Sequence, residues 1–208
     1  HSLTARILRI RQDFPHCGCP NSHWAWTGLH LLPMRPELCI YEHLSAGKVR
    51  EIYELGLETG HATYETEAPT WEQFTRLKVM ETVFVAVEKD NDSKILGWVS
   101  GAPASHRPAF HGVLEDSIYL HPDAQGRGVS GALLDKLIEV AEDLHKWAIH
   151  SWIFPENEGS AGLHKSRGFE KVGTYSHMAK MTYGELAGQW RDTDVYELLL
   201  PKPEEKNR

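Results

Sequence analysis

Residues Val113 to Gly131 read V-L-E-D-S-I-Y-L-H-P-D-A-Q-G-R-G-V-S-G. The first eight alternate as a strand, with Val113, Glu115, Ser117 and Tyr119 on one face and Leu114, Ile118 and Leu120 on the other. His121-Pro122-Asp123 stops that strand, because proline cannot donate to a sheet ladder. Gly126, Gly128 and Gly131 then lead into an uninterrupted amphipathic run. Strand, glycine loop and helix N-terminus in succession offer bare backbone N–H groups to a phosphate. A carboxylate on the strand upstream is placed to act on whatever that phosphate carries.

Downstream, Leu133, Leu134, Leu137, Ile138, Ala141 and Leu144 form one apolar stripe, predicting a helix from Gly131 to about His145. Ala148 to Phe154 reads as a short strand, and P-E-N-E-G-S opens another helix that Gly168 closes as a C′ residue. F-E-K-V-G-T-Y and T-D-V-Y-E-L-L-L are the last two strands. Upstream, V-F-V-A-V-E and K-I-L-G-W-V-S-G flank Asp90-Asn91-Asp92 as a hairpin. Two helices precede it, one from an N-cap at Ser45 to about Gly56 and one from about Thr70 to Met80. E-L-C-I-Y-E-H, ending at His43, alternates as a first strand. The order β-α-α-β-β-β-α-β-α-β-β predicts one α/β domain with a mixed sheet, hairpins first and crossover helices later. The domain is expected over residues 34–201 and residues 202–208 form a charged tail. Residues 1–33 carry Pro15 and Pro20 and no sustained period, so they read as an irregular N-terminal extension, with a packing arm the open alternative.

Composition narrows the function classes. With 41% apolar and 25% charged residues, the 208-residue chain is an ordinary globular sequence. No apolar run approaches the ~20 residues that cross a bilayer, so no membrane partner is expected. A net charge of −7 argues against a general nucleic-acid binder. Cys17, Cys19 and Cys39 make no disulfide framework, and residues 1–33 lack a signal-peptide layout, which together favour the cytoplasm. No second Cys or His pair accompanies Cys17-Gly18-Cys19, so no metal is expected.

The glycine loop literally satisfies G-x-G-x-x-G, the dinucleotide fingerprint. That fingerprint normally follows the first strand of a βαβ half, whereas hairpins precede it here. Its acidic partner should end a second strand, yet Glu142 and Asp143 lie inside the helical pattern. No Lys-Ser/Thr pair closes the motif as a nucleotide P-loop. A plain glycine turn between strand and helix is the bland alternative.

The neighbours of the loop carry more. Gln125, Gly126, Arg127, Gly128, Val129 and Ser130 resemble the Q/R-x-x-G-x-G/A loop of the GNAT acetyltransferases, with Ser130 a departure at the last position. E-T-G-H-A-T-Y-E-T-E-A-P, R-P-A-F-H-G-V-L-E-D-S-I-Y-L-H-P-D-A and E-N-E-G-S-A-G-L-H-K-S-R-G-F-E-K-V-G resemble segments of the phosphinothricin acetyltransferase subfamily. The likeness runs from about Arg35 to Leu200 and implies a single-domain GNAT fold, a mixed central sheet flanked by helices. It also implies acetyl-CoA as co-substrate and a homodimer.

Several roles follow only from this resemblance. Gln125 through Gly131 would hold the pyrophosphate, and the backbone of Ile118, Tyr119 and Leu120 would pair with pantetheine like an added strand. Asn157 and Ser160 match positions that hydrogen-bond the pantetheine arm, although at a helix N-terminus both are equally suited as caps. Glu115 occupies the position of the catalytic glutamate, against the competing reading of a solvent-facing strand residue. Asp116 beside it should point to the opposite face. His164 matches a helix histidine suited to protonate the thiolate or relay a proton, against a solvated surface role in a chain with 13 histidines. Thr63, Glu65, Arg107 and Phe110 match acceptor-site positions, with Arg107 able to clamp an acid group bidentately.

The expected reaction is direct attack by the amine of a small amino acid or analogue, of the phosphinothricin or methionine sulfoximine or sulfone type. A GNAT-like domain that senses acyl-CoA or acylates a protein amine is the alternative. Near the C-terminus the sequence departs from the family: Trp190 and Asp192 are kept, but the approach from Met178 to Gln189 is longer and Glu185 stands where a base is usual. That leaves the acceptor's identity open.

Overall fold

The computed structural model describes residues 5–11 and 39–202. In chain order these form β1 (Ala5–Arg11), β2 (Cys39–Tyr41), α1 (Glu42–Glu58), α2 (Trp71–Leu77), β3 (Val79–Glu88) and β4 (Asn91–Pro103). There follow β5 (Val113–Leu120), α3 (Val129–Asp143), β6 (Ala148–Ile153), α4 (Glu158–Lys165), β7 (Glu170–Lys180) and β8 (Trp190–Leu199). One mixed eight-stranded sheet has the order β2-β1-β3-β4-β5-β6-β8-β7. Its pairs are antiparallel except β1 with β2 and β5 with β6.

Period-2 alternation divides the interior between the two faces of this sheet. In β3, Val83, Val85 and Val87 join Ile52 of α1, Phe74 of α2 and Trp98 of β4. Phe84 and Ala86 turn the other way, onto Leu133, Leu134 and Leu137 of α3. Both faces are therefore covered, which is why β3 reads as a continuous apolar run. β5 divides likewise: Tyr119 packs towards α1, while Leu114, Ile118 and Leu120 pack towards α3.

Local signals set the helix ends. Thr70 caps α2 through a capping box, with the Gln73 N–H donating to Thr70 Oγ1 and the Thr70 N–H donating to Gln73 Oε1. α1 begins at Glu42, directly after β2, so Ser45 is not an N-cap but a buried residue inside the helix. α2 stops at Leu77, short of the expected Met80, because Val79 and Met80 already belong to β3.

The expected irregular extension is corrected at one place. Ala5–Arg11 is a strand of the sheet, antiparallel to β3. A-R-I-L-R-I-R alternates, sending Leu8 and Ile10 towards α1 and Ala5 and Ile7 towards α3. By pairing with β3 it covers what would otherwise be an open sheet edge. The domain thus takes in residues before position 34. The rest of that extension, residues 1–4 and 12–33, and residues 203–208 of the expected tail lie outside the described residues.

The α3 face carries a large share of the core. Leu137→Ala, at a fully buried site, is expected to cost about 2–5 kcal/mol. In a domain of this size that lowers the melting temperature by on the order of 10 °C. Leu77→Ala, at an exposed position, is expected to change stability by less than about 0.5 kcal/mol. Thermal unfolding of the two variants checks the difference.

Candidate active site

β5 and β6 pair only over Val113–Glu115 with Ala148–His150. β5 nevertheless continues to Leu120, pairing with β4 on its other edge, and β6 continues to Ile153, pairing with β8. Beyond Glu115 and His150 the facing edges part, and their backbone groups have no ladder between them. An open strand edge inside a sheet accepts an extended ligand as a further strand. Ile118, Tyr119 and Leu120 lie on that open stretch.

One side chain spans the fork. Asp116 and Ser151 are the first residues past the last paired position, and His164 of α4 reaches both. Its Nε2 lies 2.8 Å from Asp116 Oδ2 and 3.1 Å from Ser151 Oγ. Its Nδ1 lies 2.7 Å from the Ser160 carbonyl oxygen and 3.4 Å from Ser160 Oγ. A carboxylate on one ring nitrogen and a carbonyl on the other are satisfied together when both nitrogens carry protons. Burial pulls the His164 pKa down, but the Asp116 hydrogen bond and charge, with the Ser160 carbonyl, outweigh it and leave the value raised. His164 is 1% exposed. His164, expected as a proton donor or relay, is thus buried rather than solvated, with both ring nitrogens engaged, because packing of α4 brings Asp116 under it.

Below the fork sits the glycine loop. Gly126 and Gly128 take φ of +70° and +75°, in the left-handed region that favours glycine. Gly128 caps α3 without a side chain. The first i→i−4 bond of the helix runs from Ala132 N–H to the Gly128 carbonyl, so the amides of Val129, Ser130 and Gly131 precede the ladder. Gly131 has no Cβ, and the Arg167 guanidinium lies close against it, paired with Asp135. Helix dipole, free-running amides and that cation make an anion cradle. Gln125 and the glycines at 126 and 128 are exposed. Arg127, expected to face the pyrophosphate, instead pairs with Glu88 of β3 and donates to the Asp123 carbonyl.

Glu115 stands at the apex of the fork, on the α1 side. No hydrogen bond or ion pair among the described residues ties its carboxylate. Burial pushes its pKa up and the Asp116 charge adds to this, while Lys78 and His150 oppose. Asp116 does point to the other face, into the His164 pair, so the two adjacent carboxylates serve opposite sides of the strand. On the Glu115 side, Lys78 Nζ donates to Ser117 Oγ at 3.0 Å. Tyr119 stacks on both Tyr53 and Trp98, with ring centroids 4.7 Å from each, and those two rings also stack on one another at 6.0 Å. Gly56 makes room for the Tyr119 ring.

The α1–α2 loop closes over this face. Arg191, buried on β8, donates to the Gly60 carbonyl at 2.6 Å and to Glu156 Oε2 at 2.8 Å. It also contacts His61 Nδ1 at 3.1 Å and lies 3.6 Å from the Phe154 ring centroid. Asn157 caps α4 by accepting from the Ser160 N–H and donates to the His61 carbonyl. Tyr183, in the long approach to β8, donates to the Thr63 carbonyl at 2.7 Å. Thr63 is thereby held near Tyr53 and Tyr119, and Glu65 adds charge at its exposed side. Arg107 and Phe110 are exposed on the β4–β5 connection, without a hydrogen bond or ion pair to Glu115, Thr63 or Glu65 among the described residues. Sequence reading did not single out Lys78, Arg191, Tyr183 or the Asp116–His164 pair. Among the described residues no cluster of three His, Cys, Asp or Glu side chains could hold a metal, and no helix is long and apolar enough to cross a membrane.

The His164 assignment predicts a pH signature. A histidine whose folded pKa is raised contributes stability that is full below its unfolded value and lost as pH rises through the folded one. The difference in melting temperature between wild type and His164→Gln is expected to be widest below pH 6.5 and to shrink above it. A difference independent of pH would contradict the imidazolium.

Comparison with known proteins agrees with this geometry. Residues 48–169, more than half of the chain, match the model of the acetyltransferase (GNAT) family. A phosphinothricin N-acetyltransferase of Alcaligenes faecalis is 32% identical over 159 residues, covering 74% of this chain and 76% of that relative. One from Streptomyces coelicolor is 36% identical over 114 residues, covering 53% of this chain and 63% of the relative, so the chain spans less than two thirds of that protein. A solved GNAT superfamily phosphinothricin acetyltransferase from Sinorhizobium meliloti, in complex with AcCoA, superimposes with a TM-score of 0.66 at 27% identity, over 77% of this chain and 89% of that one. With its forked parallel pair and glycine-capped third helix, the chain belongs to the GNAT acetyltransferase family.

Proposed function

We propose that this protein transfers the acetyl group of acetyl-CoA to the amine of a small amino acid or close analogue, of the phosphinothricin, methionine sulfoximine or methionine sulfone type. The observation that carries this reading is Glu115 at the apex of the β5–β6 fork, with its pKa raised, on the strand that leads to the α3 amides. Five residues separate Glu115 from Leu120, about 17 Å of extended strand. An extended thiol arm laid along that edge has its phosphates at α3 and its thioester at Glu115.

Acetyl-CoA supplies the activated acyl group. The backbone of Ile118, Tyr119 and Leu120 holds the arm, with Ser160 and Asn157 at the start of α4 beside it. Gln125 and the amides from Gly126 to Gly131 hold the diphosphate, Arg127 shaping the loop from its pairing with Glu88. An α-ammonium is mostly protonated at neutral pH. Glu115 takes that proton, so that nitrogen bonds to the acetyl carbon as the carbon–sulfur bond breaks, and the second amine proton ends on the departing CoA thiolate. His164 acts as a positioning residue, holding the fork open through Asp116 and Ser151. Thr63 and Glu65 line the acceptor side.

The same reading includes a homodimer in the cytoplasm. Exposed Val172, Tyr175, Met178 and Trp190 on β7 and β8 support a self-association face, and the net charge of −7 supports the lack of a nucleic-acid partner.

The reading predicts thiol release from acetyl-CoA in the presence of such amino acids. Glu115→Gln is expected to lose about 10²- to 10⁴-fold in turnover while acetyl-CoA still raises the melting temperature. Wild-type activity should fall as pH drops through the raised Glu115 value, because the base must be ionised. A carboxylate with a raised folded pKa costs stability once ionised, so Glu115→Gln is expected to be no less stable at neutral pH. Unchanged turnover in this variant would remove Glu115 from the chemistry.

A further inference from the structure

We propose that Lys78 is the cation that receives the acid group of the acceptor. This rests on the amino-acid acetylation reading and names how that site selects its substrate.

Lys78 lies at the junction of α2 and β3. Its side chain crosses β4 where the residues are Ser100 and Gly101, and it ends at Ser117 Oγ, 3.0 Å away. Ser117 pairs across with Ser100 and follows Glu115 by two residues, so all three side chains share the α1 face. That face is otherwise apolar, built from Trp98, Tyr53, Phe74 and valines. A small polar patch is thus embedded in it: one ammonium, two hydroxyls and one carboxylate. The Ser100 hydroxyl is fully buried and has no hydrogen-bond partner among the described residues.

Lys78 has the Ser117 hydroxyl as its hydrogen-bond partner, and no carboxylate lies within 4 Å of its nitrogen among the described residues. Two of its three ammonium protons therefore meet no acceptor among the described residues. A half-buried ammonium in such a setting calls for an anion. Its pKa is lowered by burial, with the Glu115 and Asp116 charges offsetting part of that.

Of the other cations, two are committed to protein partners and one is exposed to solvent. Arg191 holds the α1–α2 loop and Arg127 holds Glu88. Arg107 is exposed on the β4–β5 connection. Lys78, anchored at Ser117, and Glu115, two residues earlier on the same strand face, thus present a plus–minus pair. A zwitterion with amine and acid on neighbouring atoms matches it, ammonium towards Glu115 and carboxylate or phosphinate towards Lys78. A plain amine leaves Lys78 uncompensated. The substrate class is therefore an amine bearing an adjacent anionic group.

The test compares L-methionine sulfone with its carboxamide as acceptors for wild type, Lys78→Met and Lys78→Arg. In Lys78→Met the KM for the acid is expected to rise roughly 10- to 100-fold, the loss of a charge-assisted hydrogen bond. The KM for the carboxamide and the kcat for both acceptors should stay within a few-fold, and Lys78→Arg should recover part of the loss. An unchanged melting-temperature rise with acetyl-CoA shows that each variant is folded. Equal losses on acid and carboxamide, or no loss on either, would overturn the proposal, as would a wild type indifferent to the acid group. A wild type that acetylates neither acceptor, nor any amine, instead defeats the reading on which the proposal rests.

Discussion

A hydrogen-bonded imidazole in the gap between two parallel strands governs this molecule. His164 touches Asp116 on β5 and Ser151 on β6, the first residues on each strand beyond the shared ladder. Removing one partner of a buried charged pair costs about 3–5 kcal/mol, because the other is left uncompensated, so neither Asp116 nor His164 is readily lost alone. Opening the strands leaves backbone groups unpaired, a cost that the α4 contact offsets. Unpaired backbone within the sheet is what makes room for a ligand in strand form.

The fork also explains why two neighbouring carboxylates do different work. Glu115 and Asp116 share a strand, and alternation sends them to opposite faces. Asp116 is consumed as an anion by His164. Glu115 has no hydrogen-bond donor on its oxygens among the described residues, and burial raises its pKa. One serves the architecture and the other is left basic. The α1–α2 loop is tied to β8 by Arg191 and to the approach to β8 by Tyr183.

Much of this was legible in the chain, and the limits have physical causes. The β5 strand, its two faces and the turn into α3 follow from alternation, a proline and three glycines, all local signals. The strand Ala5–Arg11 was missed because seven alternating residues stand before a long stretch without period, and their pairing partner lies far along the chain at β3. Glu115 was legible through resemblance, since alternation alone cannot tell a base from a surface glutamate. The partner of His164 lies 48 residues away, and no spacing rule reaches it. Arg127 sits in the expected loop, but its charge is claimed by Glu88, 39 residues upstream. Lys78 falls inside the helix expected from Thr70 to Met80, and its destination, Ser117, is set by sheet register rather than by helical period.

The account stands or falls on whether the open edge of β5 and the first amides of α3 receive one extended ligand together. Amide hydrogen exchange with and without acetyl-CoA measures this residue by residue. The expected result is slowed exchange both along Ser117–Leu120 and at Val129–Gly131. Protection confined to another surface, or none at the β5 edge, would contradict it.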